Sequence, residues 1–141
     1  MRALLYARSV LFTVLFMVAT AAFVVIGSPL LLGPRSWAMA GLRAHAHTIC
    51  FLMRLLIGTK VEVRGREKLP PGAALIASKH QSAWDTMGLV PIFKDPALIM
   101  KAELMLIPFY GWFSRKFGMI AVKREAGPAA MRQLVKDSRS R

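Results

Sequence analysis

The stretch His80-Gln81-Ser82-Ala83-Trp84-Asp85 decides how this chain reads, together with the apolar run Ala73-Ala74-Leu75-Ile76-Ala77 just before it. A histidine and an aspartate five apart suit a base and the carboxylate that orients it. The carboxylate accepts from one ring nitrogen and leaves the other free to take a proton from a hydroxyl. On one continuous helix this spacing turns about 500°, so the two side chains would face apart. The pair therefore requires His80 in a turn after a strand and Asp85 near the start of the next helix. Residues 73–77 supply the short buried strand, and residues 85–90, closed by Pro91, supply the short helix.

Working outward, the strand-helix alternation continues. Val61-Glu62-Val63-Arg64 alternates apolar and charged residues, as a half-exposed strand does. Residues 65–72 contain Pro70-Pro71 between two glycines and form a loop. Ala97-Leu98-Ile99-Met100 predicts another strand, residues 103–117 a largely helical segment, and residues 119–123 a further strand after Gly118. Residues 129–136 close with a helix, and the polar, basic end at 137–141 frays. Strands alternating with helices predict an α/β layer architecture.

Three blocks carry a resemblance. They are His80 to Asp85, with Thr86 beyond; Lys101-Ala102-Glu103-Leu104 leading into Ile107-Pro108-Phe109-Tyr110-Gly111-Trp112; and Gly118-Met119-Ile120-Ala121-Val122-Lys123-Arg124. In this order and spacing, from about Val61 to Arg124, they resemble the bacterial 1-acyl-sn-glycerol-3-phosphate acyltransferases. Lys79 stands where that family commonly has asparagine, and Ala121 where it commonly has an aromatic. The family's third block, built around Glu-Gly-Thr-Arg, does not occur in these residues. The resemblance thus implies an incomplete glycerolipid-acyltransferase-like α/β domain over residues 59–141, apparently truncated.

The resemblance implies a reaction. A fatty acyl group passes from a thioester, either acyl-coenzyme A or acyl carrier protein, to the sn-2 hydroxyl of lysophosphatidic acid, giving phosphatidic acid. No cofactor is expected. His80 is the base, and Asp85 holds its tautomer and stabilises the imidazolium. Because the substrate hydroxyl itself attacks, Ser82 is not a nucleophile, and no G-x-S-x-G elbow surrounds it. Arg124 matches the family's phosphate-binding arginine, with Lys101 and Lys123 adding charge. Trp84 reads first as packing beneath the site. Ile107, Pro108, Phe109, Tyr110 and Trp112 read as wall or core, with an acyl-chain groove as a further role for some of them.

Residues 1–58 form a separate region. Residues 9–32 carry no charge, and 24 residues of helix reach about 36 Å, longer than a hydrocarbon core of roughly 30 Å. Pro29 and Gly33-Pro34 break it. A second apolar helix, about residues 37–56, is interrupted by Arg43, His45, His47 and Arg54. Ala38-Met39-Ala40 could serve as a signal-peptide cleavage site, but the apolar run is too long and Pro34 and Arg35 intervene. Cations flank both ends of the first helix, which disfavours a single crossing. A membrane-associated helical pair, dipping into one leaflet or crossing and returning, satisfies both flanks. The resemblance implies the same pair at the bacterial inner membrane, with the body facing the cytoplasm.

Composition agrees. Hydrophobic residues make up 55% of 141, concentrated in the first third, and 20 Lys and Arg against 7 Asp and Glu leave a net charge of +13. Such a balance suits membrane lipids and a phosphorylated substrate. A basic protein that only binds anionic lipid, or nucleic acid, would account for the charge and the apolar start but not for the three blocks, so no nucleic-acid partner is expected. His45 and His47, two apart on a helix, point about 200° from each other and cannot share one ion. No metal site is expected. Cys50 is the single cysteine and lies in an apolar stretch, so it reads as a small packed residue.

Overall fold

The computed structural model describes residues 2–82 and 84–140; Ala83 of the central motif and the side chain of Arg124 lie outside that description. The chain is mostly helical, with one small parallel sheet.

The apolar N-terminal third forms the helical pair that its sequence predicts. Helix α1 runs Arg2–Ile26 without an interior Pro or Gly to break it. A 3-10 turn over Ser28–Leu31, opened by Pro29, reverses the chain. Helix α2 runs Arg35–Leu52 from the extended backbone of Pro34, and a π-helical turn over Met53–Ile57 stops at Gly58, which has φ 82°. The two helices are antiparallel. The Arg8 guanidinium donates to the Leu56 carbonyl at 2.5 Å near one end. Thr20 Oγ1 and His45 Nε2 lie 3.4 Å apart nearer the turn.

One face of α2 makes the core. Ala38, Met39, Leu42 and Ala46 recur at helical spacing and are buried against Val90, Phe113 and Phe117. His45 lies on the same side, its ring stacked on Phe23 with centroids 4.8 Å apart, while His47 is exposed. The two histidines face apart, as their spacing requires. Helix α1 buries no residue, and Leu4, Leu5, Val10, Leu11, Val14 and Val18 are exposed along it.

The body follows. Helix α3 is short, Trp84–Gly88, and packs on α2. Strand β1, Ile99–Lys101, leads through a 3-10 turn over Ala102–Leu106 into helix α4, Tyr110–Phe117, and returns in strand β2, Ile120–Val122. Gly111 is required at the start of α4, because a Cβ there would sit 2.0 Å from the Met105 carbonyl oxygen. Gly118, with φ 77°, ends α4 in the left-handed conformation. The two strands pair in parallel, Ile99 opposite Ile120 and Lys101 opposite Val122. Helix α5, Pro128–Arg139, packs on β2. Arg35, at the head of α2, ties the two regions together. It grips Asp95 with two hydrogen bonds of 2.6 and 3.1 Å and donates to the Phe117 carbonyl at 2.8 Å.

Two expected strands do not form. Val61-Glu62-Val63-Arg64 and residues 73–77 are irregular, so β1, the α4 crossover and β2 are the part of the α/β alternation realised among the described residues. A strand satisfies its backbone only through a neighbouring strand, and neither stretch has one. Leu75 is 86% exposed.

Candidate active site

The His-Asp pair is assembled by a turn rather than by a strand end. His80 sits at the end of the irregular stretch, and Asp85 is the second residue of α3. Between them the chain folds back on itself: the Asp85 N–H donates to the Ser82 carbonyl at 3.1 Å. The Asp85 side chain then returns the favour. Its Oδ2 accepts from the N–H of Gln81 at 2.5 Å and of Ser82 at 2.9 Å. This is the short-range bonding that aspartate offers in turns and at helix starts.

His80 Nδ1 lies 3.3 Å from the same oxygen. Three donors thus converge on Oδ2. The carboxylate favours the proton on Nδ1, which leaves Nε2 as the basic nitrogen. The Asp85 side chain is 17% exposed and that of His80 70%, so the carboxylate is tucked under the turn and the ring faces outward. The backbone N–H of Ser82, then that of Gln81, hold the Asp85 carboxyl below its ordinary value of 3.8, and His80 adds to the same effect. Asp85 is therefore an anion throughout the physiological range.

Beside the pair runs an apolar groove of about 330 Å³. Its long wall is Phe12, Phe16 and Met17 of α1 with Ile49 of α2 and Met53 beyond it. Its head is Ser82, Trp84 and Met87. Ser82 thus touches both features, donating its N–H to Asp85 and lining the groove. Trp84, expected beneath the site as packing, forms part of that lining. Ile107, Pro108, Phe109, Tyr110 and Trp112, read from sequence as wall or core with a groove role for some of them, are not among its lining; Ile107, Phe109, Tyr110 and Trp112 are each partly exposed. Sequence reasoning missed the α1 wall because Phe12, Phe16 and Met17 are indistinguishable there from any other apolar residue of a long hydrophobic helix.

The three expected phosphate-binding residues come to one end of the sheet. Lys101 ends β1, and its register partner Val122 directly precedes Lys123 and Arg124. The carboxyl ends of parallel strands are where open α/β sheets bind ligands. The Lys101 ammonium lies 3.9 Å from the Glu103 carboxylate, and Lys123 is exposed. These cations and the His-Asp pair are carried by different elements, the sheet and α3.

The family model Acyltransferase matches residues 60–141, which takes in the turn, α3, the sheet and α5. The chain belongs to that acyltransferase family. Among curated relatives, it is 38% identical over 86 residues to the 1-acyl-sn-glycerol-3-phosphate acyltransferase of Pseudomonas aeruginosa, covering 61% of this chain and 34% of the relative. It is 32% identical over 90 residues to the enzyme of the same name from Saccharomyces cerevisiae, covering 62% and 30%. It is 33% identical over 67 residues to the chloroplastic one of Arabidopsis thaliana, covering 46% and 19%. The chain spans about a third or less of the length of these relatives. No solved structure matches it significantly.

Proposed function

We propose that this chain supplies the base and the acyl-binding groove of an acyltransferase that moves a fatty acyl group from a thioester to the sn-2 hydroxyl of 1-acyl-sn-glycerol 3-phosphate, yielding phosphatidic acid. The observation that carries the reading is the junction at Ser82, where an imidazole-carboxylate pair meets an apolar groove. A base alone serves many reactions. A base two residues from a groove-lining serine, with the groove walled by Phe, Met and Ile side chains, suits a substrate with a long hydrocarbon tail and a reacting hydroxyl near its polar end.

In this reading His80 Nε2 takes the proton of the acceptor hydroxyl as the oxygen attacks the thioester carbonyl. The new ester bond forms as the carbon-sulfur bond breaks, and the thiolate leaves with the proton that His80 returns. Asp85 stabilises the imidazolium between these two transfers. Lys101, Lys123 and Arg124 hold the acceptor phosphate, Arg124 in bidentate fashion where its fork allows. The relatives' shared name supports lysophosphatidate as acceptor. The donor, acyl-coenzyme A or acyl carrier protein, is soluble, whereas acceptor and product are lipids.

Membrane attachment follows the same logic. Helix α1 is 25 residues long and holds an 18-residue stretch of mean hydropathy 2.6, long and apolar enough to cross a membrane. The turn after it, however, is tied to the body through Arg35, Asp95 and Phe117. A full crossing by the pair would draw the charged body into hydrocarbon. The arrangement supports a pair lying in one leaflet, α1 toward the lipid and α2 toward the body, at the cytoplasmic face of a bacterial inner membrane. The +13 charge adds attraction to anionic headgroups.

The test is product identity. The chain in detergent micelles with palmitoyl-coenzyme A is offered lysophosphatidate, glycerol 3-phosphate or lysophosphatidylcholine, and lipids are read by mass spectrometry. Phosphatidate from the first acceptor alone is the expected result. Acylation of all three, or of none, contradicts the assignment.

A further inference from the structure

The block from Leu106 to Trp112 belongs neither to the groove nor to the His-Asp pair. Leu106, Ile107, Pro108, Phe109 and Tyr110 are consecutive apolar or aromatic residues, and all of them are exposed. Leu106 is 77% exposed. Trp112 is half exposed and adds its ring to that of Phe109, with centroids 5.0 Å apart. A run of this kind on a protein surface marks a contact with something apolar.

Backbone strain holds the run outward. Phe109 has φ 60°, and among the described residues it alone, glycines aside, has positive φ. An aromatic residue in that conformation is an outlier that the surrounding structure must impose. The cause is adjacent. The start of α4 presses on the 3-10 turn so closely that Gly111 has no room for a Cβ against the Met105 carbonyl. A solvated turn is ordinarily built with Gly or Asn at such a position. Here a phenyl ring occupies it and faces outward.

Neighbours and charge identify the occupant. One turn along α4 from Phe109, Phe113 is buried against Phe23 of α1, with ring centroids 6.3 Å apart. The exposed rings therefore adjoin the apolar helix assigned to the leaflet. Arg115 and Lys116 follow in the last turn of α4, and Lys101 stands at the far end of the 3-10 turn. Aliphatic side chains with a Tyr and a Trp, flanked by cations, suit the level of anionic headgroups, where one end of a side chain is apolar and the other wet. A protein partner would account for the rings but not for their continuity with a lipid-facing helix.

We propose that residues 106–112 form a second membrane contact: Leu106, Ile107, Phe109, Tyr110 and Trp112 sit in the interface of an anionic bilayer beside the helical pair. This rests on the leaflet reading of that pair and adds to it. The consequence is one of position. The 3-10 turn Ala102–Leu106 ties the contact directly to Lys101, so the cationic end of the sheet is held at the depth where lipid phosphates lie.

The test reads lipid contact at two places. The full chain is placed in vesicles of phosphatidylethanolamine and phosphatidylglycerol, with and without bromine on the acyl chains. One form keeps Trp112 as its only tryptophan, through Trp37→Phe and Trp84→Phe. A second form adds Trp112→Phe and Leu11→Trp and so reports on α1. Trp112 is expected to lose most of its emission to the brominated lipid and to escape quenching by acrylamide in the water. Bromine quenching of Leu11→Trp without quenching of Trp112 overturns the inference and leaves the leaflet reading intact. Quenching of neither overturns both. A Trp112 shielded from bromine and acrylamide alike is covered by protein, which also overturns the inference. Should the substituted chains fail to fold, photolabelling of the unaltered chain by a lipid that carries a diazirine on its acyl chain decides. Label is expected on α1 and on residues 106–112, and label on α1 without residues 106–112 overturns the inference.

Discussion

Residues 2–57 are helical almost throughout, whereas the described residues 58–82 hold only a 3-10 turn over Arg66–Lys68. The sequence predicts a helical pair and, between it and α3, two strands at residues 61–64 and 73–77; the pair forms and the strands do not. The difference is one of backbone accounting. A helix satisfies its own N–H and C=O groups within the segment, so an apolar run without breakers suffices. A strand borrows its partners from elsewhere, and Val61-Glu62-Val63-Arg64 has none to borrow. The base of the site stands at the end of the second region. It is held by bonds made within six residues and needs no sheet beneath it.

The largest effect should come from cutting those bonds' electrostatic role. Asp85→Asn keeps a carbonyl oxygen that can accept from the Gln81 and Ser82 N–H groups but removes the charge facing His80. Acyl transfer should fall by at least about 10²-fold with the helical content unchanged. A variant that retains full activity would show that the pair seen at 3.3 Å has no chemical role.

Next comes the helical side of the contrast. Phe113 is 4% exposed, within 5.6 Å of Phe117 and 6.3 Å of Phe23 by ring centroids, so it joins body to hairpin. Phe113→Ala should cost about 3–5 kcal/mol, read as a lowered denaturation midpoint in detergent. A loss below about 1 kcal/mol would mean that α2 and α4 do not pack as described. Arg35→Ala removes a half-exposed ion pair and two bonds to the Phe117 carbonyl. It should cost about 1 kcal/mol, because water competes for such a pair. Protease sensitivity around residues 28–34 should rise with it.

The acid limb gives a smaller, signed effect. The Asp85 carboxyl is held below 3.8, so its charge stabilises the turn at pH above the ordinary carboxylate range. That contribution is lost as pH falls through the lowered value. The melting temperatures of the chain and of Asp85→Asn should therefore differ at neutral pH and converge in strong acid. Parallel curves across the whole range would remove the carboxylate from the account of the turn. Smallest of all, Leu75→Lys should change stability by less than about 0.5 kcal/mol, since Leu75 is exposed. A loss of 2 kcal/mol or more would restore the buried strand expected from the sequence.

These contrasts also show what the sequence could reveal. The hairpin, the short α3, both strands around α4 and the closing helix follow from apolar periodicity, Pro and Gly. Local signals of that kind decide local structure. Residues 73–77 look like a strand by composition, but pairing depends on a neighbour that composition does not supply. The site divides in the same way. His80 and Asp85 could be found because their partnership lies within six residues. Phe12, Phe16 and Met17 could not, since a groove wall 65 or more residues away in the chain leaves no mark on its own segment.

The most direct test is the release of free thiol from palmitoyl-coenzyme A in the presence of lysophosphatidate, comparing the chain with His80→Ala. His80 is largely exposed, so the variant should keep its circular dichroism. The chain should release thiol about 10²–10⁴-fold faster than the variant. Equal rates in two folded proteins would contradict the assignment of His80 as the base.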